Sequence, residues 1–274
     1  MNELTHFSLF SGIGGLDLSA EWAGFTTVGQ CEWADYPTKV LEKHWPDVPR
    51  WRDIRSVTKQ SFYERTGRRT VKLISGGFPC QPFSVAGKQR GKEDDRLLWP
   101  EMLRVISELQ PDWVIGENVP GIINMALDQV LSDLESQGYE VQPFLIPACG
   151  VEAPHKRERV FIVANSISRG RREKWEQGSM AGISREWTNN TMQTEKSSPH
   201  VANTTGELRE RDWGTWDGRA EFTNSGWWDV EPDVGRVANG IPSRVDRLKC
   251  LGNAVIPQQA YPIFQAIADI ERST

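Results

Sequence analysis

The fold is indicated most directly by the stretch VKLISGGFPCQPFS, residues 71–84. A short apolar run predicts a buried strand here, and the strand ends in two glycines. Pro79 and Pro82 restrict the backbone on either side of Cys80, so we expect the thiol on a stiff turn. Nucleophiles of α/β proteins lie at such strand ends. The pattern favours a nucleophilic Cys80 over the alternative, a structural cysteine in a turn.

Apolar strands alternate with helical segments around this stretch. Residues 5–10, 26–30 and 112–116 have the patterns of strands, and residues 122–137 have the spacing of one helix that Gly138 closes. Such alternation predicts an α/β fold with a Rossmann-like, doubly wound, mostly parallel sheet.

The composition and the hydrophobic pattern of the chain change near residue 165. Apolar periodicity fades, and small polar residues, arginine and tryptophan dominate until about residue 234. We therefore expect a catalytic, cofactor-binding domain at 1–164 plus 248–274. A small, irregular second domain is expected at 165–247, where the basic residues that crowd its start suit contact with DNA. The alternative for such a charge run is a solvated surface.

Composition excludes several classes of protein. The 274 residues carry a formal net charge of −5, which argues against non-specific coating of nucleic acid but not against an enzyme with a local basic face. The four cysteines lack CxxC pairing, so neither a metal site nor a disulfide framework is expected. No apolar run is long enough to cross a bilayer. These features predict an intracellular, cytoplasmic protein in a reducing compartment, with no membrane partner.

Polar residues follow several of the predicted strands. A glycine-rich turn at residues 11–15 suits close approach of a ligand, although its G-x-G-G spacing is a weak signal. Glu32 lies about 20 residues beyond, where Rossmann-like folds bind ribose hydroxyls, and Trp33 could stack on an adenine. Asp53 and Glu117 also follow strands, and the alternative for each carboxylate is a solvated or capping residue.

Together these motifs resemble the C5-cytosine DNA methyltransferase family over nearly the whole chain. The resemblance rests on seven segments in the family's usual order: Phe10-Ser11-Gly12-Ile13-Gly14-Gly15, Glu32-Trp33, Asp53-Ile54, Gly77-Phe78-Pro79-Cys80-Gln81, Glu117-Asn118-Val119, Lys156-Arg157-Glu158-Arg159 and Leu251-Gly252-Asn253-Ala254-Val255. The Pro-Cys-Gln and Glu-Asn-Val segments are the specific part. His155 stands where the family usually has glutamine, which we expect to matter little.

The resemblance implies S-adenosylmethionine as cofactor and duplex DNA as substrate, with a monomer of prokaryotic or viral origin expected. The implied cofactor-binding residues are Phe10, Gly12, Ile13, Gly14 and Gly15 at the methionine end, Glu32 at the ribose, Trp33, Asp53 and Ile54 at the adenine, and Pro79 and Asn253 near the sulfonium. The implied catalytic residues are Cys80, Glu117, Arg157 and Arg159. The implied DNA contacts are Gln81, Ser84, Asn118 and Val119, and residues 165–247 are implied to form the DNA target-recognition domain.

The implied reaction is methyl transfer to C5 of a cytosine flipped out of a short duplex target. Cys80 would add to C6, Glu117 would face N3 with a raised pKa, and Arg159 would contact O2. A flap at residues 83–96 would close over the base.

Three rival functions remain open at this stage. A cytosine-5 RNA methyltransferase would use the same chemistry. A non-catalytic nucleic-acid binder is disfavoured because Cys80, Glu117 and Arg159 are all present. A nucleotide-dependent oxidoreductase is disfavoured because the full G-x-G-x-x-G fingerprint is missing.

Overall fold

The computed structural model describes residues 3–79, 98–167 and 243–273, whose elements are numbered here in chain order. The strands are β1 (Thr5–Leu9), β2 (Thr26–Cys31), β3 (Arg50–Trp51), β4 (Leu73–Gly76), β5 (Trp113–Asn118), β6 (Tyr139–Ile146) and β7 (Arg159–Ser166). The helices are α1 (Gly15–Trp22), α2 (Asp35–His44), α3 (Lys59–Thr66), α4 (Trp99–Leu109), α5 (Ile122–Met125), α6 (Leu127–Ser136), α7 (Arg244–Asn253) and α8 (Pro257–Arg272). Short 3₁₀ helices lie at Ile54–Ser56 and Ala148–Val151.

The strands form one seven-stranded sheet in the order β3-β2-β1-β4-β5-β7-β6. Neighbouring strands from β3 through β5 are parallel, whereas β7 runs antiparallel to both β5 and β6. The predicted mostly parallel α/β sheet is thus confirmed. The reversed strand near one edge is the part that the sequence patterns do not predict.

The register of the parallel strands brings their carboxyl ends into line. Leu9 of β1 lies opposite Cys31 of β2 and Gly76 of β4, and Gly76 lies opposite Gly116 of β5. The segments that leave these strands therefore emerge at one edge, which is where open α/β sheets bind ligands. Because β7 is reversed, its first residue, Arg159, reaches this same edge.

Helices cover both faces of the sheet, as alternate side chains of β1 show. His6 packs edge-on against Phe264 of α8, and Ser8 donates a hydrogen bond to Asp17 of α1. Phe7 points to the other face, where its ring packs against Phe62 of α3. Since successive side chains of a strand point to opposite faces, α1 and α8 lie on one face and α3 on the other.

A buried ion cluster ties α8 to the amino edge of the parallel strands. The Lys72 ammonium lies 2.5 Å from Asp112 Oδ2 and 3.0 Å from Glu271 Oε2. The indole of Trp113 donates to Glu271 Oε1 at 2.8 Å. A buried charge is tolerated when it is paired in this way, and removing one partner leaves the others uncompensated. The last turn of α8 is therefore fixed to the start of β5.

Two boundaries differ from the expected ones. Residues 122–137 form two helices, α5 and α6, because the backbone leaves helical geometry at Ala126 (φ −154°, ψ 1°). The expected domain boundaries fall inside elements, since β7 continues to Ser166 and α7 begins at Arg244. Most of the expected recognition domain and the expected flap lie outside the described residues, so the division into two domains stays a prediction.

No helix within the described ranges is long and apolar enough to cross a bilayer.

A second buried polar cluster surrounds Asp17 of α1, the helix that follows the glycine-rich turn. The Asp17 carboxylate accepts hydrogen bonds from Ser8 Oγ and Gln30 Nε2, each at 2.9 Å. Gln30 Oε1 in turn accepts from Arg50 Nε at 2.9 Å. Burial raises the pKa of Asp17 to about 6, although both hydrogen bonds act to lower it. This cluster connects α1 to three neighbouring strands.

The raised pKa of Asp17 predicts a pH-dependent stability. The native state holds this proton more tightly than the unfolded chain, so the free energy of unfolding should fall as pH rises from about 4 to 6. A shift of this size corresponds to about 3 kcal/mol. We expect Asp17→Asn to remove this component in urea unfolding measured from pH 4 to 7.5. The exposed Asp47→Asn should keep the wild-type pH dependence; parallel curves for wild type and Asp17→Asn would contradict the prediction.

Candidate active site

A pocket of about 680 Å³ opens at the carboxyl edge of the parallel strands, within the size range of small-molecule sites. It is bounded by the glycine-rich turn, the end of β2, the start of α2, the segment after β4 and the residues of α7. Its lining is formed by Phe10, Ser11, Gly12, Ile13, Gly15, Leu16, Glu32, Trp33, Ala34, Asp35, Tyr36, Pro37, Lys39, Gly77, Pro79, Leu98, Glu117, Ser243, Asp246, Lys249, Cys250, Asn253, Ala254 and Val255.

Two glycines of the turn are required by close packing. A Cβ at Gly14, where φ is +90°, would lie 2.4 Å from the indole of Trp45. A Cβ at Gly15 would lie 2.5 Å from the carbonyl oxygen of Val255. At Gly15 the contact is with main-chain atoms and excludes a side chain, whereas at Gly14 the positive φ adds to the crowding. The turn therefore packs against α2 on one side and against the C-terminal segment on the other.

Glu32 connects the turn to the end of β2. Its Oε2 accepts from the Gly12 amide and its Oε1 from the Ala34 amide, each at 2.8 Å. These bonds fix the carboxylate at the pocket wall, and carboxylate oxygens have further lone pairs for ligand hydroxyls. The adjacent Trp33 is 73% exposed, so its ring face is accessible at the mouth of the pocket.

Most of the residues predicted to bind the cofactor line this one pocket. They are Phe10, Gly12, Ile13, Gly15, Glu32, Trp33, Pro79 and Asn253. Gly14, Asp53 and Ile54 are not among the described lining residues.

Local contacts explain the different placement of Asp53 and Ile54. Asp53 Oδ1 accepts from the Arg55 amide at 2.9 Å and caps a 3₁₀ helix, while Ile54 lies in the core at 4% exposure. Their roles at the adenine stay predictions.

Glu117 lies at the end of β5, where its carboxylate is buried beside Arg159. Arg159 Nε approaches Glu117 Oε1 at 3.0 Å, and the carboxylate also lies against Gly77. Burial raises the pKa of Glu117 to about 7, while the positive charges of Arg159 and Arg157 lower it. The direction agrees with the raised pKa that the family resemblance implies for Glu117. Near neutral pH the carboxyl is therefore available both as a proton donor and as an acceptor.

The two residues after Glu117 differ in exposure. Asn118 is buried: its Nδ2 donates to the Phe78 carbonyl at 2.9 Å, and its Oδ1 accepts from the Val119 amide at 2.9 Å. The Asn118 side chain thus holds the segment that leads from β4 towards Cys80. Val119 is 42% exposed. The DNA-contact roles of Asn118 and Val119 stay predictions, and Cys80, Gln81 and Ser84 lie outside the described residues.

Arg157 lies on the segment that leads into β7. Its backbone adopts a positive φ of 28°, and its guanidinium donates to the carbonyls of Gly252 at 2.8 Å and Ala254 at 2.7 Å. Within the described part of the chain, its buried Nε has no hydrogen-bond partner.

Sequence reasoning missed several polar residues of the site. Ser243, which precedes α7, and Asp246, Lys249 and Cys250 of α7 line the pocket, although the segment shows no motif beyond its nearness to Gly252 and Asn253. Across residues 3–79, 98–167 and 243–273, no group of His, Cys, Asp and Glu side chains has the arrangement of a metal site.

The balance at Glu117 predicts the effect of removing Arg159. Because the Arg159 guanidinium lowers the Glu117 pKa, Arg159→Met should raise that pKa above about 7 and leave less than half of the carboxyl ionised at pH 7. The measurement is ¹³C NMR titration of glutamate-labelled protein, with Glu117→Gln to identify the resonance. Lys156→Met, which removes an exposed cation paired with Glu158, should leave the titration unchanged. A lowered pKa in Arg159→Met would refute this electrostatic account.

Comparison with known proteins identifies relatives of this chain. The family model described as C-5 cytosine-specific DNA methylase matches residues 4–230. Type II methyltransferase M.AquIA of Picosynechococcus sp. is 35% identical over 178 residues, covering 59% of this chain and 72% of the relative. Type II methyltransferase M.Eco47II of Escherichia coli is 35% identical over 182 residues, covering 64% of this chain and 43% of the relative.

A solved structure supports the fold over a longer range. The Dnmt2 methyltransferase of S. pombe superposes with a TM-score of 0.60 at 18% identity, covering 98% of this chain and 99% of the other. That likeness shows the fold alone. The match of the family model over most of the chain shows that this protein belongs to the C-5 cytosine-specific DNA methylase family.

Proposed function

We propose that this protein transfers a methyl group from S-adenosylmethionine to C5 of a cytosine that is flipped out of a short duplex DNA target, through a covalent bond between Cys80 and C6. The observation that carries the proposal is the position of Glu117. A carboxyl with a pKa of about 7 lies beside Arg159 at the same sheet edge as a pocket of cofactor size and the segment that precedes Cys80.

The pocket fits S-adenosylmethionine in size and in the chemistry of its lining. The Glu32 carboxylate, fixed by two backbone amides, suits ribose hydroxyls, and the exposed ring of Trp33 suits an adenine face. The glycine-rich turn, Asn253, Pro79 and Glu117 line the same pocket, so the methyl donor would lie within reach of the Glu117 carboxyl. S-adenosylmethionine, when bound, would supply an electrophilic methyl group; attack of C5 on the methyl carbon breaks the bond to sulfur and releases S-adenosylhomocysteine.

The protein's contribution is to make C5 nucleophilic. The Cys80 thiolate adds to C6, and the electron pair of the C5–C6 double bond shifts towards N3 as Glu117 protonates or hydrogen-bonds N3. The resulting enamine has a nucleophilic C5. Arg159 donates to O2, where negative charge also develops. After methyl transfer a base removes the C5 proton, the C5–C6 double bond re-forms and Cys80 leaves as thiolate. Glu117 suits its step because its pKa permits both protonation states near pH 7.

The depth of Glu117 supports base flipping. The Glu117 side chain is 10% exposed at the end of a central strand, so a base that remains stacked in a duplex cannot reach its carboxyl. An extruded cytosine presents its N3 and O2 edge to such a pocket.

The proposed reaction is tested by incubating the full chain with labelled S-adenosylmethionine and mixed-sequence duplex DNA, followed by bisulfite sequencing. We expect methylated cytosines in one short sequence context. Cys80→Ser should abolish transfer while cofactor affinity stays within about twofold, because the sulfur acts on the base. Full turnover by Cys80→Ser would overturn the covalent mechanism. Transfer to structured RNA but not to DNA would overturn the DNA substrate, and cofactor binding without transfer to either would indicate a non-catalytic binder.

The cofactor assignment predicts a specific effect of Glu32. Glu32→Ala removes an acceptor of ribose hydroxyls and frees the Gly12 amide, so we expect the Kd for S-adenosylmethionine to rise about tenfold or more. Isothermal titration calorimetry gives this value without any need for turnover. Glu42→Ala, which changes an exposed glutamate of α2 outside the pocket lining, is the matched control and should bind as wild type. Unchanged affinity in Glu32→Ala would remove this residue from the site.

A further inference from the structure

The C-terminal segment 252–259 contacts both functional parts of the site. On the cofactor side, the Val255 carbonyl packs against Gly15, and the Pro257 carbonyl accepts from Ser19 Oγ at 2.8 Å. On the other side, the carbonyls of Gly252 and Ala254 accept from the Arg157 guanidinium. The segment therefore lies between the glycine-rich turn and the arginines.

Gln259 extends this contact to the backbone of Arg157. The side chain is fully buried, and its Nε2 donates to the carbonyl of Ile146 and to the carbonyl of Arg157, each at 2.9 Å. Ile146 ends β6 and Arg157 precedes β7, so one amide group joins the two ends of the intervening loop. Both N–H bonds of this amide are used in holding main-chain carbonyls.

The backbone of Arg157 needs such a restraint. A positive φ of 28° is unfavourable for a residue with a side chain and persists where surrounding contacts impose it. Here the carbonyl of Arg157 is held by Gln259 and its guanidinium by Gly252 and Ala254. Two residues later, Arg159 meets Glu117. The orientation of Arg157 therefore influences where both arginine charges lie relative to the carboxyl.

We propose that Gln259 is a positioning residue for the methyl-transfer reaction, which acts on Glu117 by holding Arg157 in place. Its role in turnover rests on the proposed function, whereas its effect on Arg157 does not. The charged groups that act on Glu117 are Arg159 and Arg157, and both lower its pKa against the effect of burial. Without Gln259 the main chain of Arg157 loses one restraint, while its guanidinium is still held by Gly252 and Ala254. We expect the relaxed backbone to shift the Arg157 charge away from Glu117. The carboxyl then becomes harder to ionise.

The first test is a double-mutant cycle on methyl transfer with Gln259→Met, Arg157→Met and the combined variant. We expect Gln259→Met to lower kcat roughly tenfold or more while the Kd for S-adenosylmethionine stays within about twofold of wild type. In the Arg157→Met background the same substitution should lower kcat by less than about twofold. Equal losses in both backgrounds would show that Gln259 acts independently of Arg157 and would overturn the proposal.

The second test is the ¹³C NMR titration of Glu117, which needs no activity. Gln259→Met should raise the Glu117 pKa in the same direction as Arg157→Met, and the combined variant should match Arg157→Met. A merely structural role would leave this titration at its wild-type value, which would overturn the proposal. If wild type transfers no methyl group to DNA, the proposed function fails, yet this titration still decides the role of Gln259.

Two further variants separate positioning from folding. Gln265→Met is the matched control, since Gln265 lies on the same helix and donates to Asp269 at 2.8 Å at the helix surface. It should match wild type in both tests. Gln259→Asn keeps the amide but is one methylene shorter, so it should reach one of the two carbonyls and give an intermediate kcat and an intermediate Glu117 pKa. If Gln259→Met does not fold, a wild-type kcat and Glu117 titration in Gln259→Asn would overturn the proposal.

Discussion

The antiparallel pairing of β7 with β5 determines which side chains meet at the candidate active site. In this register Phe161 lies opposite Glu117 and Val160 lies opposite Asn118, so the first residue of β7 reaches the end of β5. A parallel β7 would place Arg159 at the other edge of the sheet, far from the carboxyl. Glu117 would then be a buried acid without a cation, which proteins rarely tolerate. One reversed strand therefore supplies the charge partner that the position of Glu117 requires.

The protonation behaviour of Glu117 follows from two opposed effects, of which burial is the larger. Removal from water favours the neutral acid, whereas two neighbouring guanidinium groups favour the carboxylate. Neither effect alone would bring the Glu117 pKa close to 7. The fold thereby obtains an acid–base group from a side chain that in water is ionised at neutral pH.

Much of this arrangement could be predicted from short-range patterns. Strand alternation indicates the sheet, and residues that follow strands, such as Glu32 and Glu117, lie at the common edge because parallel strands share one direction. The resemblance to a known family supplied the roles of residues whose spacing alone is uninformative, such as Asn253.

The remainder depends on contacts between distant parts of the chain. The direction of β7 is set by its pairing with β5 and β6, which leaves no local signature in its sequence. In the sequence, Gln259 is an ordinary polar residue of a terminal helix. Only the structure shows that it binds the carbonyls of Ile146 and Arg157. Asp53 shows the opposite limit of the sequence patterns. Its place at a strand end predicts a ligand contact, but its side chain instead caps the 3₁₀ helix that follows directly.

The contact between Gly15 and the Val255 carbonyl has a consequence for how such a sequence can diverge. A methyl group at position 15 would collide with main-chain atoms, which no side-chain substitution at position 255 can remove. A lineage could accept alanine at position 15 only by rerouting the backbone at the far end of the chain. The two segments must therefore change together or not at all, although they lie far apart in the sequence.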